Sequence, residues 1–362
     1  MTRIIHATET LSSGVLTSLV ELTSSQIEMG ADVTLVHARR ADTPSTDQLD
    51  RIFPDQLKRV EIAQGGLVTV LTTMGRSLQD LVRGEPATIV HLHSTYAGVA
   101  GRLPRLGRSV GNHGRLFYSP HGYSFLREDH SKLARLAMLV VERVLARRGT
   151  SVLVSDSEAA LARKNLRVQH PTVLINAVDT VRLGNIADMA SRSTHALPRV
   201  AMVGRVSYQK APWRFADLAR QLSDRAEFTW FGDGDPDDLR HWLGNSPVKV
   251  TGWLDRDVLL QELAATDLVV FPTLWEGMPL ALIESHALGV PAVASNIVGN
   301  RDVVVDGVTG VLVVDDVQLV RATVELLSNP HLRSNMGRAA RTRAEANFSR
   351  ARLRRECLRI YQ

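Results

Sequence analysis

Leu268-Val-Val-Phe-Pro-Thr-Leu-Trp-Glu-Gly-Met-Pro-Leu-Ala-Leu-Ile-Glu284 is the stretch from which the rest of this 362-residue chain can be read. Its apolar start, Leu268 to Leu274, reads as a buried strand. Gly277 and Pro279 then make a tight loop, and Leu280 to Leu288 reads as a helix opening from it. Glu276 therefore stands at the carboxyl end of a parallel strand, the end at which open α/β sheets bind ligands. Glu284, eight positions on, falls about one turn into the helix.

Short apolar runs alternate with helical stretches in both directions from this point, the pattern of parallel sheets covered by helices on both faces. Strands are expected at 3–8, 32–38, 88–93, 116–120, 151–155 and 172–176, then at 199–203, 227–231, 249–251, 268–271, 291–295 and 311–314. The expected fold is α/β, with two doubly wound Rossmann-like domains facing a cleft formed by their carboxyl edges. The first domain is expected over 1–180 and the second over 199–345. The polar stretch 181–198, with Ser191-Arg-Ser-Thr194, reads as a linker, and 346–362 as a C-terminal helix crossing back to the first domain.

A hydrophobic content of 44% is enough for full cores. The single cysteine, Cys357, cannot form an internal disulfide, which fits a reducing, cytoplasmic setting. No run reaches membrane-spanning length. The net charge of +5 is uneven, since 102–148 holds ten Lys/Arg against three Asp/Glu, a local balance of +7. That suits an acidic partner such as an anionic membrane, a nucleic acid or a phosphorylated substrate, and equally a solvated basic face.

Val203-Gly-Arg-Val-Ser-Tyr-Gln-Lys-Ala211 follows the first strand of the second half. Gly204 permits a sharp exit, and Arg205 and Lys210 lie near the next helix N-terminus. A guanidinium, an ammonium and exposed backbone N–H groups together suit a diphosphate. Only five lysines stand against thirty-eight arginines in the chain, so a lysine in this loop is not generic surface. Phe231-Gly-Asp-Gly-Asp-Pro236 makes the next strand exit, where Gly232 and Gly234 allow positive φ and close backbone approach. Asp233 and Asp235 match an Asp-x-Asp metal pattern, yet the neighbouring glycines and proline make a turn sufficient explanation. Gly252 and Leu254 end the following strand, placed to bracket a flat heterocycle.

In the first half, Pro120 and Gly122 flank His121 in a rigid turn that exposes the imidazole as a hydrogen-bond partner or general acid/base. His91 and His93 share one strand face; His93 is a candidate to line the acceptor side, while His91 reads as a satisfied core histidine. Thr10-Leu-Ser-Ser-Gly14 brings Ser13 and Gly14 to the first strand exit, close enough for backbone contact with an acceptor or phosphate. No Gly-x-Gly-x-x-Gly follows that strand and no Gly-x-x-x-x-Gly-Lys-Ser/Thr loop is present, which disfavours dinucleotide oxidoreductases and P-loop enzymes. Twelve histidines and one cysteine show no zinc-type spacing, so no metal is expected.

Glu276…Glu284 resembles the E-x7-E motif of retaining glycosyltransferases of family 4, with the GT-B fold. Val203-Gly-Arg with Gln209-Lys210 is similar to that family's diphosphate loop, Ile175-Asn-Ala-Val-Asp179 to its Pro-Asn-Gly-Val-Asp segment, and Ser155-Asp-Ser-Glu158 to the segment before it. Asp306-Gly-Val-Thr-Gly-Val-Leu312 matches a further loop. The resemblance runs nearly end to end. It implies metal-independent transfer of a sugar from a nucleotide-diphosphate donor, UDP or GDP in type, with retention and with no cofactor. The first domain would bind the acceptor and the second the donor. Arg205 and Lys210 would neutralise the departing diphosphate, Glu276 would hold donor hydroxyls and Glu284 the ribose. Gly277, Met278, Pro279 and Leu280 would supply backbone N–H groups to sugar and phosphate, and His121 would contact the sugar. The chain departs from the pattern at Ser12-Ser13-Gly14 and at Ala177, Ala211 and Asp302, where glycine, or glutamate for Asp302, is usual.

Within the family, Val90-His-Leu-His-Ser-Thr-Tyr-Ala-Gly98 and Ser119-Pro-His-Gly-Tyr-Ser-Phe125 look most like bacterial capsule, exopolysaccharide and lipid-linked glycan enzymes. Their acceptors include polyprenyl-diphosphate sugars, which would place the chain in the cytoplasm, peripheral to the inner face of the plasma membrane. A sugar-nucleotide 2-epimerase of the same fold and a non-catalytic partner subunit of a glycan synthase are the alternatives. Nucleic-acid binding is not expected.

Overall fold

In a computed structural model, which describes residues 2–63, 65–83, 85, 87–103, 115–190 and 196–362, the apolar runs form strands and the intervening stretches form helices. Among the described residues the first sheet has seven strands: β1 (Arg3–Thr8), β2 (Asp32–Ala38), β3 (Lys58–Ile62), β4 (Ile89–His93), β5 (Arg115–Ser119), β6 (Thr150–Leu153) and β7 (Thr172–Val173). They pair in the order β3-β2-β1-β4-β5-β6-β7. The second sheet contains β8 (Arg199–Val203), β9 (Glu227–Phe231), β10 (Val248–Val250), β11 (Leu268–Phe271), β12 (Ala292–Ser295) and β13 (Gly310–Val313), in the order β10-β9-β8-β11-β12-β13. The pairings are parallel in both. Each sheet reverses its winding beside its first strand, between β1 and β4 and between β8 and β11. In doubly wound sheets ligands bind at such reversal points, at the carboxyl edge of the strands.

The chain divides into one unit of Met1–Ala177 with Arg350–Gln362 and another of Val178–Ser349. Two features differ from the reading of the sequence. Strand β3 was not expected: Lys58-Arg-Val-Glu-Ile62 is a charged edge strand whose only buried residue is Ile62, so it lacks an apolar run. The stretch expected to be a linker at 181–198 begins instead with the helix Thr180–Met189, capped by Asp179, whose Oδ1 accepts the Arg182 amide at 3.1 Å. That helix buries Leu183 and Gly184 and is held by Arg341 bonded to Asp188, so it belongs to the second unit. Ser191-Arg-Ser-Thr194 lies outside the described residues.

The C-terminal segment completes the first unit. Arg350 donates to Glu21 at 2.6 and 2.8 Å, and Leu353, Cys357 and Tyr361 are buried with Ile4, Leu19 and Leu35 on one face of the sheet. On the other face, Arg102 and Glu142 form an ion pair at 2.9 Å with both side chains about 1% exposed. Glu142 also accepts the Tyr118 hydroxyl at 2.7 Å, and the guanidinium lies 3.6 Å from the Tyr118 ring centroid. Losing one partner of such a pair costs about 3–5 kcal/mol, because a buried charge is left uncompensated. The contact fixes the helix Lys132–Leu145 to the sheet. It also removes Arg102 from the basic surface expected over 102–148, of which 104–114 lies outside the described residues.

Candidate active site

Three loops of the second unit are locked together by glycine. Gly204 leaves β8 at φ 136 and Gly232 leaves β9 at φ 146, conformations that side chains resist. A Cβ at Gly232 would fall on the Gly204 carbonyl oxygen, so only glycine lets these backbones pass. Gly232 also bridges Gly252 after β10. Gly234 does not take the positive φ expected of it; its need is closeness, since a Cβ there would stand 2.7 Å from the Val206 carbonyl oxygen. The Trp230 indole N–H donates to the Gly204 carbonyl at 2.7 Å and fixes its direction. Asp233 accepts its neighbour Gly234's amide, and Asp235 accepts the Asp237 amide and caps the helix Pro236–Leu243, so both carboxylates serve the turn.

The loops after β8 and β11 run together residue by residue. The Leu274 amide donates to the Gln209 carbonyl at 2.9 Å, the Gln209 side chain donates to the Trp275 carbonyl at 2.7 Å, and Lys210 Nζ donates to Glu276 Oε1 at 2.7 Å. Glu276 is only 6% exposed, so Lys210 supplies the charge that its burial demands. An ammonium has three protons and this bond uses one. Arg205 is exposed at the turn. Gly277, Met278, Pro279 and Leu280 are buried, and the helix Leu280–Ala287 begins directly after them. Pro279 has no N–H, so it cannot donate to sugar or phosphate as expected; it contributes a fixed φ of −72° ahead of the helix. Glu284 is 3% exposed and ion-paired with Arg256, a partner not foreseen from the sequence. Leu254 is half-buried, and Asp302 accepts the Gly299 amide at 3.1 Å within its own loop.

The first unit contributes a group of histidines. In the β1–β4 register His6 lies opposite His91 and Thr8 opposite His93. His6 Nδ1 is 2.8 Å from His93 Nε2, and His93 Nδ1 is 2.9 Å from His121 Nε2. His121 sits at φ 54 and Gly122 at φ 97, a strained turn held by Glu158, whose Oε1 accepts the Gly122 amide at 2.9 Å. His91 is the satisfied core histidine that was expected, bonded to Tyr361 and Ser119. His93 lines a small cavity together with His121. It is 1% exposed with both ring nitrogens engaged, so it backs His121. Ser13 and Gly14 are exposed at the β1 exit, with Ser13 at φ 48. Nearby, Glu9 accepts the Ser94 hydroxyl at 2.6 Å and the Ala97 amide at 3.0 Å. Neither Glu9 nor His6 stood out in the sequence; pairing β1 with β4 would have found His6.

His6, His91 and His93 also bring ring nitrogens within 4.8 Å of one another, a cluster that sequence spacing could not show. All six of those nitrogens lie within hydrogen-bond distance of another side chain. Burial pushes His6 and His121 down to about 4, and holds His91 and His93 well below the ordinary imidazole value.

The family model for Glycosyltransferase Family 4 matches residues 12–182, and that for Glycosyl transferases group 1 matches 197–329. Over 280 residues, 70% of each chain, the sequence is 29% identical to the UDP-Gal:alpha-D-GlcNAc-diphosphoundecaprenol alpha-1,3-galactosyltransferase of Escherichia coli. Sucrose-phosphate synthase from Thermosynechococcus elongatus matches 100% of this chain and 98% of its own, with a TM-score of 0.83 and 17% identity. Anabaena HepE, solved with UDP and glucose, matches 99% of both chains with a TM-score of 0.76 and 16% identity.

The neutral histidines make folding acid-sensitive. Their folded-state values lie below the unfolded 6.5, so unfolding takes up protons once the pH drops below that. Stability is therefore whole above 6.5 and falls as the pH is lowered toward 4. Each such histidine contributes a slope of ~1.4 kcal/mol per pH unit inside the window. Urea unfolding of the chain at neutral pH and at about pH 5 checks this. A clear loss at the lower pH is expected, and equal stability at both would contradict a neutral cluster.

Proposed function

The chain belongs to glycosyltransferase family 4 and has its GT-B fold, and from that premise we propose that it moves a sugar, with retention and without a metal, from a UDP-sugar to a lipid-linked glycan acceptor. The observation that carries this reading is the Lys210–Glu276 contact at 2.7 Å beside the Gly204 and Gly232 backbones. As the donor bond breaks, negative charge grows on the leaving diphosphate and positive character on the sugar carbon. Lys210 and Arg205 are the cations for the first, and the Glu276 carboxylate is the acceptor for sugar hydroxyls beside the second. Glu284, anchored by Arg256, is assigned to the ribose. The amides of Gly277, Met278 and Leu280 at the helix start complete the phosphate site. His121 is assigned to a substrate hydroxyl, and Ser13 and Gly14 to the acceptor side.

Two supports bear on metal independence and on the donor. The Asp233 and Asp235 carboxylates are occupied by backbone amides, while the β8 loop supplies two cations of its own. UDP appears in the HepE structure and UDP-galactose in the name of the E. coli relative, which favours a uridine donor. That relative's diphosphoundecaprenol acceptor favours a polyprenyl-diphosphate-linked glycan.

The helix Lys132–Leu145 supports peripheral membrane contact. No helix among the described residues is long and apolar enough to cross a membrane. Yet Leu133, Leu136, Val140 and Val144 are 77, 56, 52 and 64% exposed and form one stripe along it. Lys132, Arg143, Arg147 and Arg148 are exposed around that stripe, while Met138 and Leu139 pack inward. An apolar stripe rimmed with cations suits an anionic lipid surface.

Lys210→Ala is expected to lower kcat by at least about tenfold, ~1.4 kcal/mol of leaving-group stabilisation. Donor turnover at saturating UDP-sugar measures it, and an unchanged rate would remove Lys210 from the chemistry. Sedimentation with anionic vesicles at low salt tests the helix: the chain is expected to bind and a Leu136→Glu, Val140→Glu variant to stay in solution. Equal behaviour of the two would remove the membrane assignment.

A further inference from the structure

The buried histidines belong to one unbranched series of hydrogen bonds whose far end is a backbone carbonyl. Ser119 Oγ donates to the Val152 carbonyl at 2.6 Å. Beyond Ser119 the series runs through His91 at 2.8 Å, Tyr361 at 2.9 Å, Gln26 at 3.0 Å, His6 at 2.7 Å, His93 at 2.8 Å and His121 at 2.9 Å. A carbonyl can only accept, so the direction of every bond follows from that end.

Ser119 spends its one proton on Val152 and must accept from His91 Nε2. A neutral imidazole has one N–H and one lone pair, so His91 Nδ1 accepts from the Tyr361 hydroxyl. The Tyr361 oxygen then accepts from the Gln26 amide nitrogen, which leaves the Gln26 oxygen facing His6 and requires a proton on His6 Nε2. His6 Nδ1 in turn accepts from His93 Nε2, and His93 Nδ1 accepts from His121 Nε2. Reversing any bond leaves two lone pairs or two protons facing each other in a buried site, at a cost of about 1–3 kcal/mol. The lowered proton affinity of these four imidazoles keeps each of them neutral at pH 7. A metal held by His6, His91 and His93 would have to break into this series.

We infer that the series fixes His121 as the Nε2–H tautomer, so that it meets a substrate through the Nδ1 lone pair, accepting a hydroxyl proton and not donating one. His121 Nδ1 has no hydrogen-bond partner among the described residues, and the His121 side chain borders a small pocket with Ser18, Asn176 and Ser119. His6, Gln26, His91, His93 and Tyr361 are then positioning residues that act through His121. Tyr361 lies in the C-terminal segment, so the last residues of the chain set the hydrogen-bonding sense of a group in the loop after β5.

The hydroxyl partner rests on the transferase reading, but the tautomer does not. The test is therefore spectroscopic: long-range proton–nitrogen spectra of the 15N-labelled full chain at neutral pH, with His121 assigned by its loss in His121→Asn. A proton on Nε2 is expected, whether or not the chain transfers sugar. A proton on Nδ1, or an imidazolium, would overturn the inference. Ser119→Ala removes the anchor at Val152 and lets the series run either way, so the His121 resonances should shift toward two exchanging tautomers. Tyr361→Phe cuts the series at its middle and should do the same if the first variant does not fold. An unchanged His121 in a folded variant would show that the far end does not control it.

Discussion

The contact of Lys210 with Glu276 is the constraint on which the second unit's site depends. A carboxylate that is 6% exposed needs a cation, and the cation comes from a different strand exit. The two loops can supply that pair only because Gln209 ties them through Leu274 and Trp275, and because Gly204 and Gly232 let the β8 and β9 exits lie against each other. The ammonium thus holds a carboxylate of the neighbouring loop with one of its three protons.

Strain in this fold collects at the same edges. Four of the five non-glycine residues at positive φ among the described residues, Ser13, Ser94, His121 and Ala211, lie in the connections that leave β1, β4, β5 and β8; the fifth, Arg167, caps the end of the helix Asp156–Leu166. Such conformations cost about 1–3 kcal/mol each and persist only where neighbours impose them. Glu9 and Glu158, both buried, provide that restraint for Ser94 and for the turn after His121. Ala211 at φ 47 lies directly after Lys210 and leads into the helix Pro212–Leu222.

Much of this was legible in the sequence because it is local. Apolar runs announced most of the strands, glycines marked the exits of β8, β9 and β10, and Lys210 and Glu276 were visible as charges in the loops after β8 and β11. What was not legible depends on distant pairing. His6 joins His93 only when β1 and β4 lie in register, and Tyr361 reaches His91 only when the C-terminus returns to the first sheet. Arg256 finds Glu284 across a helix and a strand, with no periodicity to announce it. The helix Thr180–Met189 was missed because its buried face is as small as Thr180, Leu183 and Gly184. Strand β3 hid behind the charges that protect a sheet edge.

The most direct test of the central claim, that this chain holds a nucleotide diphosphate with its own cations, is a calorimetric titration of UDP in the presence of EDTA. The account predicts saturable binding without divalent ions, weakened when Lys210 and Arg205 are both replaced by alanine. Binding that appeared only when magnesium or manganese was added would contradict it.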